Sequence, residues 1–292
     1  MRALAGEGIF AVDDLGRFSL TPASAILQTD VPGSLHDWAL LMLGEVHQEA
    51  WTEVIHSVRT GQSAFPHRFG MDLWQYRSNH PGYAKLFDAA MASFTMTYID
   101  NLLTNYSFST FRRIIDVGGG DGSLLIAILQ ANREIQGIVY DLPDVAERAR
   151  QRIDNVGLAN RCQVSSGNAF VKVPKGGDAY ILSRVLHDWD DDSACKILSS
   201  CRNVLPADGL ILVIERALPD NLRQTVSTAS SVLSDINMTD LNMMVMTSGR
   251  ERTIAEYREL FRKVELELVR VVQTQTAMNV MEVRVGIGDQ QT

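Results

Sequence analysis

Cysteine is scarce in this chain, long apolar runs are missing, and positive charge is outnumbered. Its three cysteines, Cys162, Cys195 and Cys201, form no CxxC pair and leave one unpaired however they are matched. That argues against a disulfide scaffold and for a reducing compartment, which predicts a cytoplasmic protein. No stretch approaches the roughly 18 apolar residues that span a bilayer. The opening "MRALAGEGIF" lacks the apolar segment and cleavage site of a secretion signal. With 27 Lys and Arg against 35 Asp and Glu, the formal charge is −8, the wrong sign for a phosphate-binding face. The composition therefore predicts neither a nucleic-acid nor a membrane partner. A hydrophobic content of 46% over 292 residues supplies a core for one large domain or two modest ones.

The chain changes character near residue 110, and the predicted units are a helical region over 1–104 and a second unit over 105–292. "MRALAGEGIFAVDDLGRFSL" reads as a helix end and two short strands joined by an Asp-Asp-Leu-Gly turn. "LHDWALLMLGEVHQEAWTEVIHSVRTG" carries apolar residues at helical steps up to Gly61, and "HPGYAKLFDAAMASFTMTYIDNLL" repeats the pattern after Pro81. Beyond that point β-rich runs alternate with helical ones. "FRRIIDV", "IQGIVYDL", "RCQVSSG", "DAYILSRVL" and "LILVIERAL" predict an α/β fold with a mainly parallel sheet and helices on both faces. "VELELVRVVQTQT" and "AMNVMEVRVG" predict an antiparallel hairpin at its edge.

The strand "IIDV" runs into Gly118-Gly119-Gly120-Asp121-Gly122-Ser123 before a helix begins. A dinucleotide fingerprint would need glycine at 123. The spacing present, Asp116, Gly118, Gly120 and Gly122 in D-x-G-x-G-x-G, suits a cofactor without a pyrophosphate. S-adenosylmethionine is the candidate, with its cationic methionyl part near Asp116. Asp141, at the end of the next strand, is placed to accept from ribose hydroxyls. A glycine-rich turn followed by an acid can also arise by chance in an α/β protein.

"RVLHDWDDD" then sets His187 at the carboxyl end of a predicted strand, the ligand-binding edge of such sheets. Acids on consecutive positions point different ways and no second histidine lies nearby, so no metal site is predicted. Asp190 to Asp192 read as caps of the helix that follows. His187 reads as a general base, the alternative being a satisfied structural histidine.

Taken in order, "IIDVGGGDG", "YDLPDV", "GNAFVKVPKGGDAYILSRVLHDWDD", "VIERALPD" and "SGRERT" resemble the S-adenosylmethionine-dependent O-methyltransferases of the plant caffeate type, including their bacterial antibiotic-tailoring branch in secondary metabolism. The resemblance covers nearly the whole chain. It implies a Rossmann-like class I methyltransferase domain and a helical N-terminal region. It implies that Asp141 holds the ribose, with Leu142 beside it in the cofactor-binding set, and that Asn168 and Ala169 meet the adenine where the family usually has Asp-Met or Asp-Phe. Ser183 and Arg184 join the cofactor-binding set. His187 would deprotonate a phenolic hydroxyl of an aromatic small molecule, flanked by Glu215 and Glu251, with Trp189 packed beneath it and S-adenosylhomocysteine as product. The methionine-rich "FDAAMASFTMTYIDNLL" and "DINMTDLNMMVMTSG" would line the acceptor pocket, although such stripes are more often core. Members are homodimers that begin with a helical dimerisation module and a complete winged helix, of which this chain retains only the last helix and the wing. "LFRKVELEL" departs where the family has a glycine turn. The alternatives are N- or C-methylation, non-methylating chemistry, and a cofactor-binding protein without activity.

Overall fold

A computed structural model of the chain describes residues 1–29, 31–220 and 231–286. Helix α1 (Arg2–Gly6) leads into the hairpin β1 (Phe10–Val12) and β2 (Phe18–Leu20), in which Phe10 pairs with Leu20. Asp13 closes the turn, its Oδ1 accepting from the N–H groups of Leu15 and Arg17 at 2.9 Å.

After the short α2 (Pro22–Ala25), the stretch to Gly61 is three helices rather than the single one its periodicity predicts. These are α3 (His36–Leu43), α4 (Glu45–Thr52) and α5 (Val54–Thr60). Gly44 leaves the helical region at φ −72°, ψ 160°, and a side chain there would meet the Leu40 carbonyl at 2.5 Å. The chain continues through α6 (Ala64–Phe69), α7 (Leu73–Asn79), α8 (Pro81–Met96) and α9 (Ile99–Asn105).

The main sheet follows. β3 (Arg113–Val117), β4 (Gln136–Asp141), β5 (Cys162–Ser166), β6 (Ala179–Ser183) and β7 (Leu210–Leu218) are parallel, with α10 (Ser123–Ala131), α11 (Pro143–Asn155) and α12 (Asp191–Arg202) between them. The helix α13 (Ser231–Met246), the two-residue β8 (Arg252–Thr253) and α14 (Ile254–Lys263) precede the hairpin of β9 (Leu266–Gln273) and β10 (Met278–Val285). The order is β5-β4-β3-β6-β7-β10-β9, with β10 antiparallel to both neighbours and β8 paired to the end of β7. The expected hairpin therefore forms, with β9 as the edge.

Strand alternation builds a core on each face. Ile114, Val139 and Ile181 pack toward α9, α10 and α11, while Ile115, Tyr180 and Leu182 pack toward α12 and α14. Each fully buried aliphatic side chain stabilises this arrangement by about 1.5–3 kcal/mol. A third cluster joins Ala50, Phe65 and Leu73 of the N-terminal helices to Val245 and Met246 of α13. The cap above the sheet is thus built from both ends of the chain.

Candidate active site

The carboxyl ends of β3, β4 and β6 face the cap across a cavity of about 620 Å³. Its floor is the glycine loop, where Gly118, Gly120 and Gly122 stand at φ 71°, 59° and 82°, conformations that L side chains avoid. A side chain on Gly118 would strike Val185 at 2.8 Å, whereas Gly120 has nothing within 4 Å and leaves the rim open. Asp116 lies beneath the loop, 1% exposed, with Oδ2 buried and unpartnered. Burial, then the charges of Asp141 and Asp121, push its carboxyl up to about 7.

Asp141 braces the loop from the next strand. Its Oδ2 accepts from the Gly120 N–H at 2.9 Å and its Oδ1 from Leu142 at 2.7 Å, while burial pushes its carboxyl up to about 6. Asn168 spends one lone pair on its own turn, Oδ1 accepting from the Phe170 N–H at 2.9 Å, and Ala169 follows it on the cavity wall. Ser183 ends β6 with its hydroxyl 3.3 Å from that of Tyr98.

The strand stops earlier than its sequence suggests, which changes the setting of the histidine. Arg184 takes a left-handed conformation at φ 54°, breaks the extended run, and starts a 3₁₀ turn over Leu186–Asp188. His187 therefore sits on a turn rather than on the strand end. Glu215 of β7 holds that turn: its Oε1 accepts from the backbone N–H groups of Val185 and Leu186 at 3.0 Å and of His187 at 3.4 Å. His187 Nδ1 lies 2.9 Å from Glu251 Oε1 and 4.0 Å from Glu215 Oε2. Burial pushes the imidazole down, but the carboxylates of Glu215 and Glu251, with Asp188, outweigh it and hold it up to about 9.

His187 lines the cavity and the two glutamates do not. They stand behind it, so any effect they have on a reaction passes through the histidine or its turn. The three donor groups come within 4.8 Å of one another; Nδ1 meets Glu251 Oε1 and the backbone amides meet Glu215 Oε1, while Glu215 Oε2 and Glu251 Oε2 are buried without a hydrogen-bond partner.

The surroundings of the turn were less legible. Arg252, fully buried, donates to the carbonyls of Leu186 and Trp189 at 2.8 Å and to Asp191 at 3.0 Å. Its neighbour Gly249 passes so close that a side chain would lie 1.9 Å from the His187 carbonyl. The only sequence signal was their place beside Glu251 in "SGRERT". Asp190 is the cap, accepting from the Ser193 N–H at 2.7 Å. Asp191 instead pairs with Arg252 and Lys263, which outweigh its burial and hold its carboxyl down to about 2. Trp189 does not pack beneath the histidine; it stacks on Trp74 at 5.4 Å and meets Phe170 edge-on at 4.7 Å.

Residues 51–265 match the O-methyltransferase domain family. The chain belongs to that family.

As a member of it, the protein is an S-adenosylmethionine-dependent methyltransferase. It is 37% identical over 284 residues to a phenazine O-methyltransferase of Lysobacter antibioticus, covering 97% of this chain and 80% of that one. It is 30% identical to a phenazine-1-carboxylate N-methyltransferase of Pseudomonas aeruginosa, over 93% of this chain and 78% of the relative. An O-methyltransferase from neocarzinostatin biosynthesis, solved with S-adenosylmethionine and 2-hydroxy-5-methyl naphthoic acid, superposes with a TM-score of 0.82 at 31% identity, over 97% of this chain and 83% of that one. The loop fits the cofactor on its own terms: an open rim at Gly120, a braced acid at Asp141, and an unpartnered buried oxygen on Asp116 beneath. Among the described residues no helix is long and apolar enough to cross a membrane.

In this methyltransferase the cap wall is apolar and aromatic. Trp38 stacks on Phe94 at 4.8 Å, and Met91 of α8 with Met238, Met243 and Met246 of α13 line the cavity, whereas Met96 is 47% exposed and does not. The methionine stripes thus contribute to the pocket only in part. Among them sits a polar cluster that sequence patterns do not reveal: Trp51 Nε1 donates at 3.0 Å to both His47 Nε2 and Asn242 Oδ1. Burial pushes His47 down to about 4, so it is neutral at physiological pH.

Proposed function

We propose that this methyltransferase carries a methyl group to a phenolic hydroxyl of an aromatic small molecule, with His187 as general base. The observation that supports it is the hold on the imidazole: Nδ1 is fixed by Glu251 at 2.9 Å, and the nearest acid oxygen to Nε2 is Asp188 Oδ1 at 3.7 Å. Nε2 is therefore left to take a proton from a cavity ligand. S-adenosylmethionine supplies an electrophilic methyl on a sulfonium. The chain's part is to hold the acceptor oxygen in line, exclude water, and receive its proton at Nε2. An imidazole held near 9 approaches the roughly 10 of a phenol, so proton transfer costs little.

In this reading Asp116, Gly118, Gly120 and Ser183 surround the methionyl end, Asp141 and Leu142 the ribose, and Asn168 and Ala169 the adenine. Asn168 leaves that end without the charge an aspartate would give. Residues 1–104, with α13, enclose the acceptor, and 105–292 hold the cofactor. Exposed apolar side chains on the N-terminal segment, Leu15 at 77% and Leu43 at 74%, suit a second copy of the chain. Methylation of nitrogen is the second reading, favoured by the likeness to the phenazine-1-carboxylate N-methyltransferase.

The test is titration with S-adenosylhomocysteine together with methyl transfer to a panel of phenols and aromatic amines, for the native protein and His187→Ala. The variant is expected to bind S-adenosylhomocysteine as tightly while methyl transfer to phenols falls about 10²- to 10⁴-fold. Unchanged transfer in the variant would remove His187 as base, and transfer to amines alone would favour the second reading.

A further inference from the structure

Trp51 decides the chemistry of the polar cluster on the cap side. An indole N–H donates and cannot accept, and it lies 3.0 Å from both His47 Nε2 and Asn242 Oδ1. Each of those atoms must therefore turn a lone pair toward it. The imidazole is neutral, because burial outweighs the neighbouring Asn242 and pushes it down to about 4. With Nε2 accepting, its one ring proton is on Nδ1. The same argument fixes the amide of Asn242, whose oxygen end faces the indole and whose NH2 end does not. One donor-only group thus locks the tautomer of one residue and the flip of the other.

The two locked donors are left over. Among the described residues neither His47 Nδ1 nor Asn242 Nδ2 makes a hydrogen bond, and neither is among the polar atoms buried without a partner. His47, Trp51 and Asn242 all line the cavity, so the cavity is where these donors can be reached. A purely structural network satisfies its members internally, whereas this one spends its acceptors on Trp51 and keeps its donors. Met238 and Met246, one turn to either side of Asn242 on α13, line the same wall without charge. That helix is tied to the histidine: Asp240 Oδ1 accepts at 2.9 Å from the N–H of Glu251, the acid that holds His187 Nδ1. Among the described residues the cluster makes no hydrogen bond to the glycine loop, Asp141 or Asn168.

Resting on the O-methylation reading for the hydroxyl that reacts, we propose that His47 Nδ1–H and Asn242 Nδ2–H together bind a ring carbonyl oxygen of the acceptor. They are then specificity residues for an aromatic hydroxyl compound that also bears a carbonyl. Because Nε2 and Oδ1 meet at one indole nitrogen, the two side chains are immediate neighbours, and a carbonyl oxygen with two in-plane lone pairs can take both donors at once. Both donors are neutral and stand among methionines, which suits an uncharged oxygen better than a carboxylate. Held by that oxygen on the cap side, a flat ligand has its choice of hydroxyl at His187 fixed from the opposite wall. Trp51 is a positioning residue that acts through the two donors.

The probes are the positional isomers of hydroxyindanone, with the hydroxyl on the benzene ring, and the matching hydroxyindanes, which differ by one carbonyl oxygen. Their binding to the protein saturated with S-adenosylhomocysteine is measured by calorimetry for the native chain, His47→Leu, Asn242→Leu, the double variant and Trp51→Phe. Native protein is expected to prefer at least one hydroxyindanone over its hydroxyindane by about tenfold. Each leucine variant should lose part of that preference, and the double variant should bring the ratio to near one while still binding the hydroxyindane. Trp51→Phe keeps both donors but unlocks them, so its ratio should fall between native and double variant; a native ratio there would remove Trp51 as the positioning residue. S-adenosylhomocysteine affinity should stay within about twofold of native in every variant and doubles as the check that the variants fold. Equal binding of every pair to native protein, a preference that survives in the double variant, or a loss of cofactor affinity in both leucine variants would each overturn the assignment. Because binding is read without turnover, failure of methyl transfer to phenols counts against the O-methylation reading alone and leaves this one standing.

Discussion

The two walls of the cavity are held by different physics. On the sheet side, the turn carrying His187 is pinned by directed bonds: three amides to Glu215, an imidazole to Glu251, two carbonyls to Arg252. On the cap side, Trp38, Phe87, Met91 and Met243 offer surface without direction, interrupted by polar side chains such as Arg77, Asp88 and the His47–Trp51–Asn242 cluster. A buried polar network has one satisfied arrangement, whereas apolar side chains of similar volume have many. On the proposed function, the sheet side is therefore suited to hold a reacting group still, and the cap side to be re-cut for different acceptors.

The sharpest way to break that comparison is to remove the pin. Arg252→Met would leave the Leu186 and Trp189 carbonyls without their donor, while Asp191 keeps Lys263 and Arg250. Each buried carbonyl left unsatisfied costs about 1–3 kcal/mol. Denaturant unfolding should show a loss in that range, and a loss below about 1 kcal/mol would mean that the turn is not held as described.

Next in size is the response to pH. His187 is held up to about 9, above the roughly 6.5 of a free imidazole, so the folded state binds its proton more tightly than the unfolded chain. The stabilisation is fully present below about 6.5 and is lost as pH rises through about 9. If His187 is the base as proposed, activity moves the other way, because only the neutral ring can accept a proton. Methyl transfer under kcat/KM conditions should rise about tenfold per pH unit from 7 and level off near 9. A plateau already reached at pH 7 would mean that the glutamates do not hold the proton.

The cap should respond more softly. Met243, 7% exposed and on the cavity wall, replaced by leucine should cost less than about 1.5 kcal/mol of stability. Its effect should fall on the ranking of acceptors in a competition assay. A cost equal to that of Arg252→Met would erase the distinction between the walls.

The same distinction explains what was legible in the sequence. Strands β3 to β7 and the β9–β10 hairpin could be read because buried parallel strands are short apolar runs bounded by turns. Gly118, Gly120 and Asp141 could be read because loop geometry restricts residue type. The position of His187 on a turn could not, because Arg184 gives no sign in the sequence of its left-handed backbone. Arg252 and Asp191 look like surface charges until the fold brings them together. His47 and Trp51 stand one turn apart on α4, but Asn242 lies far along the chain on α13, and no spacing rule joins it to them.

The smallest expected effect concerns a residue outside both walls. Glu265 stands at φ 55°, two residues after the end of α14, in the stretch where the resembled family has a glycine turn, and a left-handed position of this kind favours glycine. Its N–H still donates to the Arg262 carbonyl at 3.0 Å and its carbonyl accepts from Gly286 at 2.9 Å, so the turn forms despite the strain. The side chain pairs with Arg202, but it is 73% exposed, and such pairs contribute at most about 1 kcal/mol. Glu265→Gly relieves about 1–2 kcal/mol of left-handed strain and gives back part of it through the freer unfolded chain and the lost pair. A net gain of about 0.5 kcal/mol is expected in thermal or denaturant unfolding. A loss instead would mean that the Arg202 pair outweighs the backbone, and that a charge network on the surface, not turn geometry, decides this position.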